Sequence, residues 1–243
     1  MQETSALYRQ LYTSKKFYVE TKVVIGQEQL EFTEEDILSL RTTKRVFNGN
    51  NPEVGCCVCG EIDLVMYAPI VSIEKQAEMD VYIRLVSTIN SERYSEWVHK
   101  GIFYIDTREV TKNNDNLDVL TIHGYDAMIK AEAEYGDSTL MFPALDIDLV
   151  NDIATKIGAP LDERSLEYLV DGYSIQYPSN YCMRETLGQI ASMYAGNWII
   201  NDCGELQLIP LWNLPHETNL LIDENGDRLV FGEPPEEEDR ILI

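Results

Sequence analysis

An α+β fold is expected for this chain: an antiparallel β-barrel-like domain followed by a smaller α+β domain. Three features lead there. The first half is rich in β-branched and aromatic runs separated by Asn/Gly turns. Met79-Asp80-Val81-Tyr82-Ile83-Arg84-Leu85 alternates apolar and polar residues, the mark of a half-buried antiparallel strand. After Tyr125 the period changes to helical, with three segments that each end near a glycine.

Taken in order, strands are predicted at Phe17–Ile25 and Leu40–Phe47. Asn48-Gly49-Asn50-Asn51-Pro52 then supplies turn chemistry, because Asn and Gly tolerate the left-handed region. Further strands are predicted at Val54–Tyr67, Met79–Ser87, Trp97–Thr107 and Leu117–His123. Lys112–Asn116 is read as the loop that joins the last two as a hairpin. Many short strands at this spacing point to a barrel or sandwich. Asp126 is a good N-cap for a helix over Ala127–Tyr135 that Gly136 stops. A second helix is predicted over Asp148–Ile157, with Leu149, Val150, Ile153, Ala154 and Ile157 on one face and Gly158 and Pro160 at its end. A third, over Tyr181–Ala195, carries Met183, Leu187, Ile190, Ala191 and Tyr194 on one face and is closed by Gly196. Asn197–Asn201 and Glu205–Ile209 form a hairpin about Asp202-Cys203-Gly204, and Leu220–Ile222 with Arg228–Phe231 form another turning at Asn225-Gly226. The expected division is 1–125 for the β-rich part, 126–212 for the α+β part, and 213–243 for an acidic hairpin and tail that could open a further domain.

Composition narrows the function. A chain of 243 residues with 44% hydrophobic and 25% charged residues is globular rather than disordered. At this length roughly 70–75% of the unfolded surface is buried, so neither metal nor disulfide staples are required. Forty-two acids against nineteen bases leave a net charge of −23. Residues 1–48 are neutral, with seven of each sign, and the excess lies in the remainder. A phosphate-neutralising protein needs the opposite sign, so nonspecific nucleic-acid binding and docking to anionic membranes are not expected, and no sequence-specific nucleic-acid partner is assigned. Met1–Leu11 lacks the basic start and apolar stretch of a secretory signal. Leu64–Ile73 is broken by Pro69 and too short to span a bilayer, so no membrane insertion is expected. Five cysteines, an odd number, read as reduced thiols in a protein made inside a cell. The apolar Ile241-Leu242-Ile243 after the acidic run Glu233–Asp239 leads us to expect the natural chain to continue.

Residues that could carry chemistry are few. Cys56-Cys57-Val58-Cys59 resembles half of a zinc site, but Cys182 and Cys203 have no nearby Cys or His partner. In a strand Cys57 and Cys59 would share one face and Cys56 the other, as small buried thiols. His99 and His123 fall in strands as satisfied ring residues, and His216 has no metal-binding spacing. There is no GxSxG, GxGxxG or Walker-type motif. A Cys–His pair formed in space stays an open alternative. Asp223-Glu224-Asn225-Gly226-Asp227 places glycine fourth where a calcium loop needs it sixth, and is read as a hairpin turn. Trp198 and several tyrosines are read as core or subunit contact. No residue is assigned a catalytic, cofactor or metal role, no cofactor is expected, and the interaction residues are unknown at this level.

One ordered set of segments does carry information. Leu187–Leu208 is an amphipathic helix, a glycine stop, an aromatic strand, an Asp-x-Gly turn and an apolar strand. Upstream, Gly101-Ile102-Phe103-Tyr104-Ile105-Asp106 precedes Asp118-Val119-Leu120-Thr121-Ile122-His123-Gly124-Tyr125-Asp126, a strand ending in an aspartate that opens a helix. In this order the segments resemble the baseplate hub (tail-tip) proteins of contractile phage and prophage tails and related injection machines. The resemblance covers about residues 97–211, and residues 1–96 in strand content only. It implies a non-enzymatic structural protein of the virion tail, assembled in the bacterial host cytoplasm. The implied state is a homotrimeric ring joining the tail tube or distal tail protein to a spike or fibre. The acidity would then line a lumen that repels DNA. Such hubs are commonly longer, and this chain carries no attached lysin domain. It is therefore expected to be part of a longer chain, or a minimal hub whose enzyme or spike is separate. Two alternatives stand beside this reading. A tail-associated cell-wall hydrolase or peptidase would need two carboxylates or a Cys–His pair of perturbed pKa. A receptor- or glycan-binding module would expose a tyrosine and tryptophan platform.

Overall fold

The computed structural model describes residues 4–49, 51–70, 72–113, 115–169 and 172–211. The predicted hairpin over 220–231, His216 and the acidic tail lie outside them. The fold is α+β: a curled antiparallel sheet of seven strands forms a half-barrel, accompanied by helices and two small two-stranded sheets.

Helix α1 (Ala6–Ser14), which the sequence reading did not assign, is capped by the Ser5 hydroxyl and precedes β1 (Phe17–Ile25). Next come β2 (Leu30–Thr33), β3 (Ile37–Thr43), β4 (Glu61–Tyr67), β5 (Glu78–Ser87), β6 (Val98–Lys112) and β7 (Asp118–Tyr125). The strand order is β2-β1-β5-β6-β7-β4-β3, antiparallel throughout. Strands β2 and β3 are thus the two edges, yet only residues 34–36 separate them in sequence. A flat sheet of seven strands would hold its edges about 29 Å apart. The four peptide steps from Thr33 to Ile37 reach about 14 Å. The sheet therefore has to curl, and Asp36 ties the ends: its N–H donates to the Thr33 carbonyl at 3.0 Å and its carbonyl accepts from Tyr67 N–H at 2.9 Å. Ile25, Ile62, Leu64, Met66, Met79, Val81, Phe103 and Ile122 fill the concave side.

Two strand expectations need correction. The strand expected at Leu40–Phe47 sits at Ile37–Thr43, and β2 went unread because four residues carry too little alternation. The strand expected over Val54–Tyr67 exists only from Glu61. Residues 54–60 form a strap outside the large sheet, because Cys56 and Val58 pair their backbones with Trp198 instead; at its end Gly60 leaves room for the Asp126 carboxylate, which would lie 2.6 Å from a Cβ there.

After β7, the helix expected over Ala127–Tyr135 is a shorter 3-10 helix, Ala127–Glu132, with Asp126 as its N-cap as predicted. Packing overrides propensity here. The Ala133 carbonyl accepts from Met183 N–H at 2.9 Å, and Tyr135 turns inward against Phe142 and Tyr177. Strand β8 (Ala144–Leu145) leads into α2 (Asp146–Ile157). Gly158 ends α2 at φ 74°, and Ala159 N–H reaches back to the Ala154 carbonyl, a Schellman closure. A short α3 (Glu163–Leu166) and β9 (Ser174–Ile175), both missed by the sequence reading, precede α4 (Met183–Met193). Helix α4 starts with a capping box in which the Cys182 sulfur accepts from Glu185 N–H and the Glu185 carboxylate accepts from Cys182 N–H. The hairpin β10 (Gly196–Ile200) and β11 (Leu206–Pro210) follows as predicted.

Gly196 does not close α4 by adopting a left-handed conformation. Ala195 does that, at φ 48°, while Gly196 lets β10 approach β11, since a Cβ there would lie 2.9 Å from the Ile209 carbonyl oxygen. The second apolar cluster gathers Leu149, Ile153, Leu187, Ile190, Trp198 and Leu206. Both clusters lie in one compact unit that ends at Pro210.

Candidate functional site

The strap over residues 54–60 connects the half-barrel to β10 and builds the site. Gly55 N–H donates to the Gly196 carbonyl at 2.9 Å, Trp198 N–H to Cys56 at 2.8 Å, and Val58 N–H to Trp198 at 3.0 Å. Asn197, fully buried, completes the attachment. Its Oδ1 accepts from Cys56 N–H at 2.7 Å, and its Nδ2 donates to the carbonyls of Val46 and Glu53 at 2.9 and 2.7 Å. The expected alternation of the cysteines is present. Cys57 and Cys59 face the helical cluster, and Cys56 has its thiol near Glu53.

Cys59 and Asp126 meet where the strap joins β4. The Asp126 carboxylate accepts from Gly60 N–H at 2.7 Å, Met128 N–H at 3.0 Å and the Cys59 thiol at 3.3 Å. Burial nevertheless pushes its pKa up to about 6, against the pull of those donors and of Lys44. Burial also pushes the Cys57 thiol up to about 12 and raises that of Cys59, so both stay protonated near neutrality and are poor nucleophiles. A raised carboxyl pKa means that the folded state holds the proton more tightly than the unfolded chain does. The corresponding stability is complete below about pH 4 and is lost as pH rises through about 6. Asp126→Asn is therefore expected to flatten the stability profile between pH 4 and 7 by ~2–3 kcal/mol, measured by urea unfolding at each pH. An unchanged profile would show that Asp126 does not titrate there. Asp202 acts in the opposite sense. Burial alone would raise it, but Lys100 and Lys44 hold it below the usual carboxylate range, so its contribution is lost as pH falls.

Beside the strap lies a cavity of about 310 Å³ lined by Thr43, Arg45, Phe47, Val58, Glu61, Tyr125, Ile129 and Arg184, among others. Arg184 separates it from a second cavity of about 550 Å³ along the strap. Its Nη1 pairs with Glu132 at 2.5 Å, and its carbonyl accepts from the Cys57 thiol at 3.3 Å. Its Nε and Nη2 are buried and have no hydrogen-bond partner among the described residues. Arg45 makes no hydrogen bond or ion pair among them either. Sequence reasoning assigned neither arginine. The available signal was that Arg184 is the only base between residues 165 and 211, within an acid-rich stretch.

The other candidates take ordinary places. His99 pairs with Asp80 at 3.1 Å and His123 with Asp63 at 2.8 Å, as satisfied strand histidines. Among the described residues no group of three or more His, Cys, Asp or Glu side chains could hold a metal. Trp198 is core, with no exposed surface. Tyr82, Tyr94 and Trp97 do gather on the outer face of β1, β5 and β6. Lys22 stands 5.2 Å from the ring centres of Tyr82 and Trp97, and Arg84 4.5 and 4.6 Å from those of Trp97 and Tyr94. These cations sit at the rings on which a sugar would stack. Among the described residues no helix is long and apolar enough to cross a membrane.

No family model and no curated protein sequence matches the chain. Its fold is similar to that of the 43 kDa tail protein of prophage MuSo2 from Shewanella oneidensis, with a TM-score of 0.54 and 13% identity. That match covers 82% of this chain and 58% of the other. It is also similar to the tail protein from Neisseria meningitidis MC58, with a TM-score of 0.51 and 13% identity, covering 78% of this chain and 51% of that one. At these identities the likeness establishes a shared fold, and this chain spans little more than half the length of either protein.

Proposed function

We propose that this chain is a structural component of a phage or prophage tail and acts as a hub ring between tail tube and spike or fibre. The observation that carries the reading is the fold, which two proteins described as tail proteins share over 82% and 78% of this chain. The ordered segments from Gly101 to Leu208 support it independently, because they resemble tail hubs in sequence. In this reading three copies form the ring. Residues 1–125 supply its barrel-like part, 126–212 the α+β part, and 213–243 an acidic hairpin and tail. The partners are a tube or distal tail protein and a spike or fibre protein, and the site of action is the virion tail, after assembly in the host cytoplasm. The net charge of −23 gives a lumen from which a DNA backbone is repelled.

Light scattering coupled to size exclusion tests the ring. Three protomers of 27.8 kDa give an expected 83.4 kDa. A mass of 27.8 kDa at all concentrations, with and without a tube protein, overturns the trimer. Release of muropeptides from purified cell walls would overturn the structural reading in favour of a hydrolase. Saturable glycan binding that Trp97→Ala abolishes would favour a receptor-binding module.

A further inference from the structure

We infer that the cavity beside the strap is a binding site for a small amphipathic carboxylate, held by Arg184 and Arg45. The guanidinium of Arg184 is anchored at one corner only, Nη1 on Glu132. Its opposite edge, Nε with Nη2, presents two parallel N–H donors, the edge that grips a carboxylate in bidentate fashion. Both donors are buried without an acceptor among the described residues. Leaving charged donors unpaired is costly, so such an edge calls for an acceptor from outside the described residues, as a bound ligand would supply. That edge is closed off from solvent in the structure; in this proposal the ligand is met by a turn of the guanidinium about Glu132, whose side chain is 53% accessible, into the cavity that Arg184 lines. The first turn of α4 adds nothing to this argument, because Cys182 and Glu185 already cap it.

The rest of the lining fits the same ligand. Arg45 adds a second cation with no ion pair among the described residues, while Phe47, Val58 and Ile129 offer apolar walls. A volume of about 310 Å³ suits a molecule the size of a small aromatic or branched acid. Glu61, in the same lining, opposes a second negative charge. The site therefore prefers a monocarboxylate with an apolar body to inorganic phosphate or a dicarboxylate.

Benzoate is the test probe, with benzamide as its uncharged counterpart and succinate as the dianion, all added to the full chain at constant ionic strength. Binding to every variant is followed by saturation-transfer NMR on the ligand's own protons, and in the chains that keep Arg184 also through its Nε–H resonance. Saturable benzoate binding with a dissociation constant of about 1 mM is expected for a fragment of this size. Benzamide and succinate should bind at least ~10-fold more weakly, as should benzoate to Arg184→Met, with Arg45→Ala in between. Arg184→Lys keeps the charge but loses the fork, and should resemble the methionine variant. Without ligand, Arg184→Met should melt at or above the wild-type temperature, because it removes an unpaired buried edge and leaves only a half-exposed Glu132. Equal binding of benzamide, or benzoate binding indifferent to both arginines, overturns the inference. So does an absence of benzoate binding. If the Arg184→Met chain then shows a lower mass by light scattering, the acceptor belongs to another copy. If it melts several degrees lower at unchanged mass, Arg184 is a structural strut.

Discussion

Trp198→Ala is expected to remove about 3–5 kcal/mol of stability, a large share of the ~5–15 kcal/mol that holds an ordinary domain together. The indole has no exposed surface and sits among Leu187, Ile190 and Leu206 at the centre of the helical cluster. Its Nε1 donates to the Leu187 carbonyl at 2.9 Å, so truncation opens a cavity and also removes a buried hydrogen bond to that carbonyl. The same residue carries the strap on its backbone, through Cys56 and Val58. A disturbed β10 would therefore loosen the wall of the Arg184 cavity as well. Urea unfolding followed by circular dichroism measures the loss. Trp198→Phe keeps most of the volume but not the donor, and should cost about 1–2 kcal/mol. A loss below about 1 kcal/mol for the alanine variant would mean that the cluster is not packed around this residue.

Asn197→Ala should be nearly as damaging, through hydrogen bonds rather than volume. Three backbone groups lose their partner at once: the buried Cys56 N–H and the carbonyls of Val46 and Glu53. Val46 and Glu53 are accessible enough for water to replace part of that loss, whereas Cys56 is buried. The expected total is about 3–4 kcal/mol. Asn197→Asp separates this account from a simple packing effect. A carboxylate can still accept from Cys56, but it turns a second acceptor toward two carbonyls and buries a charge. That variant should be least stable near neutral pH and should recover as acid protonates the carboxyl and restores a donor. A pH-independent loss for Asn197→Asp would argue that Val46 and Glu53 do not depend on this side chain. Protection of the Cys56 amide from hydrogen exchange, read in both variants, localises the effect to the strap.

Much of the secondary structure was legible because its signals are local. The alternation in Met79–Leu85 and the helical spacing in Asp148–Ile157 follow from backbone periods of two and 3.6 residues. Asp126 and Gly158 were readable as caps for the same reason: a cap acts on the turn beside it. The readings that failed were those in which a distant contact outweighed the local preference. Ala127–Tyr135 favours a helix, yet the chain extends after Glu132 because Tyr135 belongs to the core and Ala133 to Met183. Gly196 looks like a helix stop, but its lack of a side chain serves a strand contact with Ile209. Val54–Gly60 continues a plausible strand, but its partner is β10, some 140 residues away.

The candidate site was the least legible part. Arg184 reads in sequence like any arginine near the start of a surface helix. It becomes distinctive only when folding buries its Nε edge without an acceptor among the described residues and sets Glu132 at the other corner. The cysteines had the opposite fate: a conspicuous cluster in sequence became small buried side chains and one carboxylate contact in the fold.

By itself, then, the sequence determined the α+β composition, the position of most strands and helices, and the buried faces of α2 and α4. Those properties depend on chemistry within a few residues. Only the tertiary structure decided that the sheet curls until its edges approach at Asp36, that residues 54–60 leave it for Trp198 and Asn197, and that Arg45 and Arg184 face one cavity. Each of those outcomes follows from pairing between segments far apart in the chain, where burial and hydrogen-bond satisfaction outweigh local propensity and leave no periodic trace.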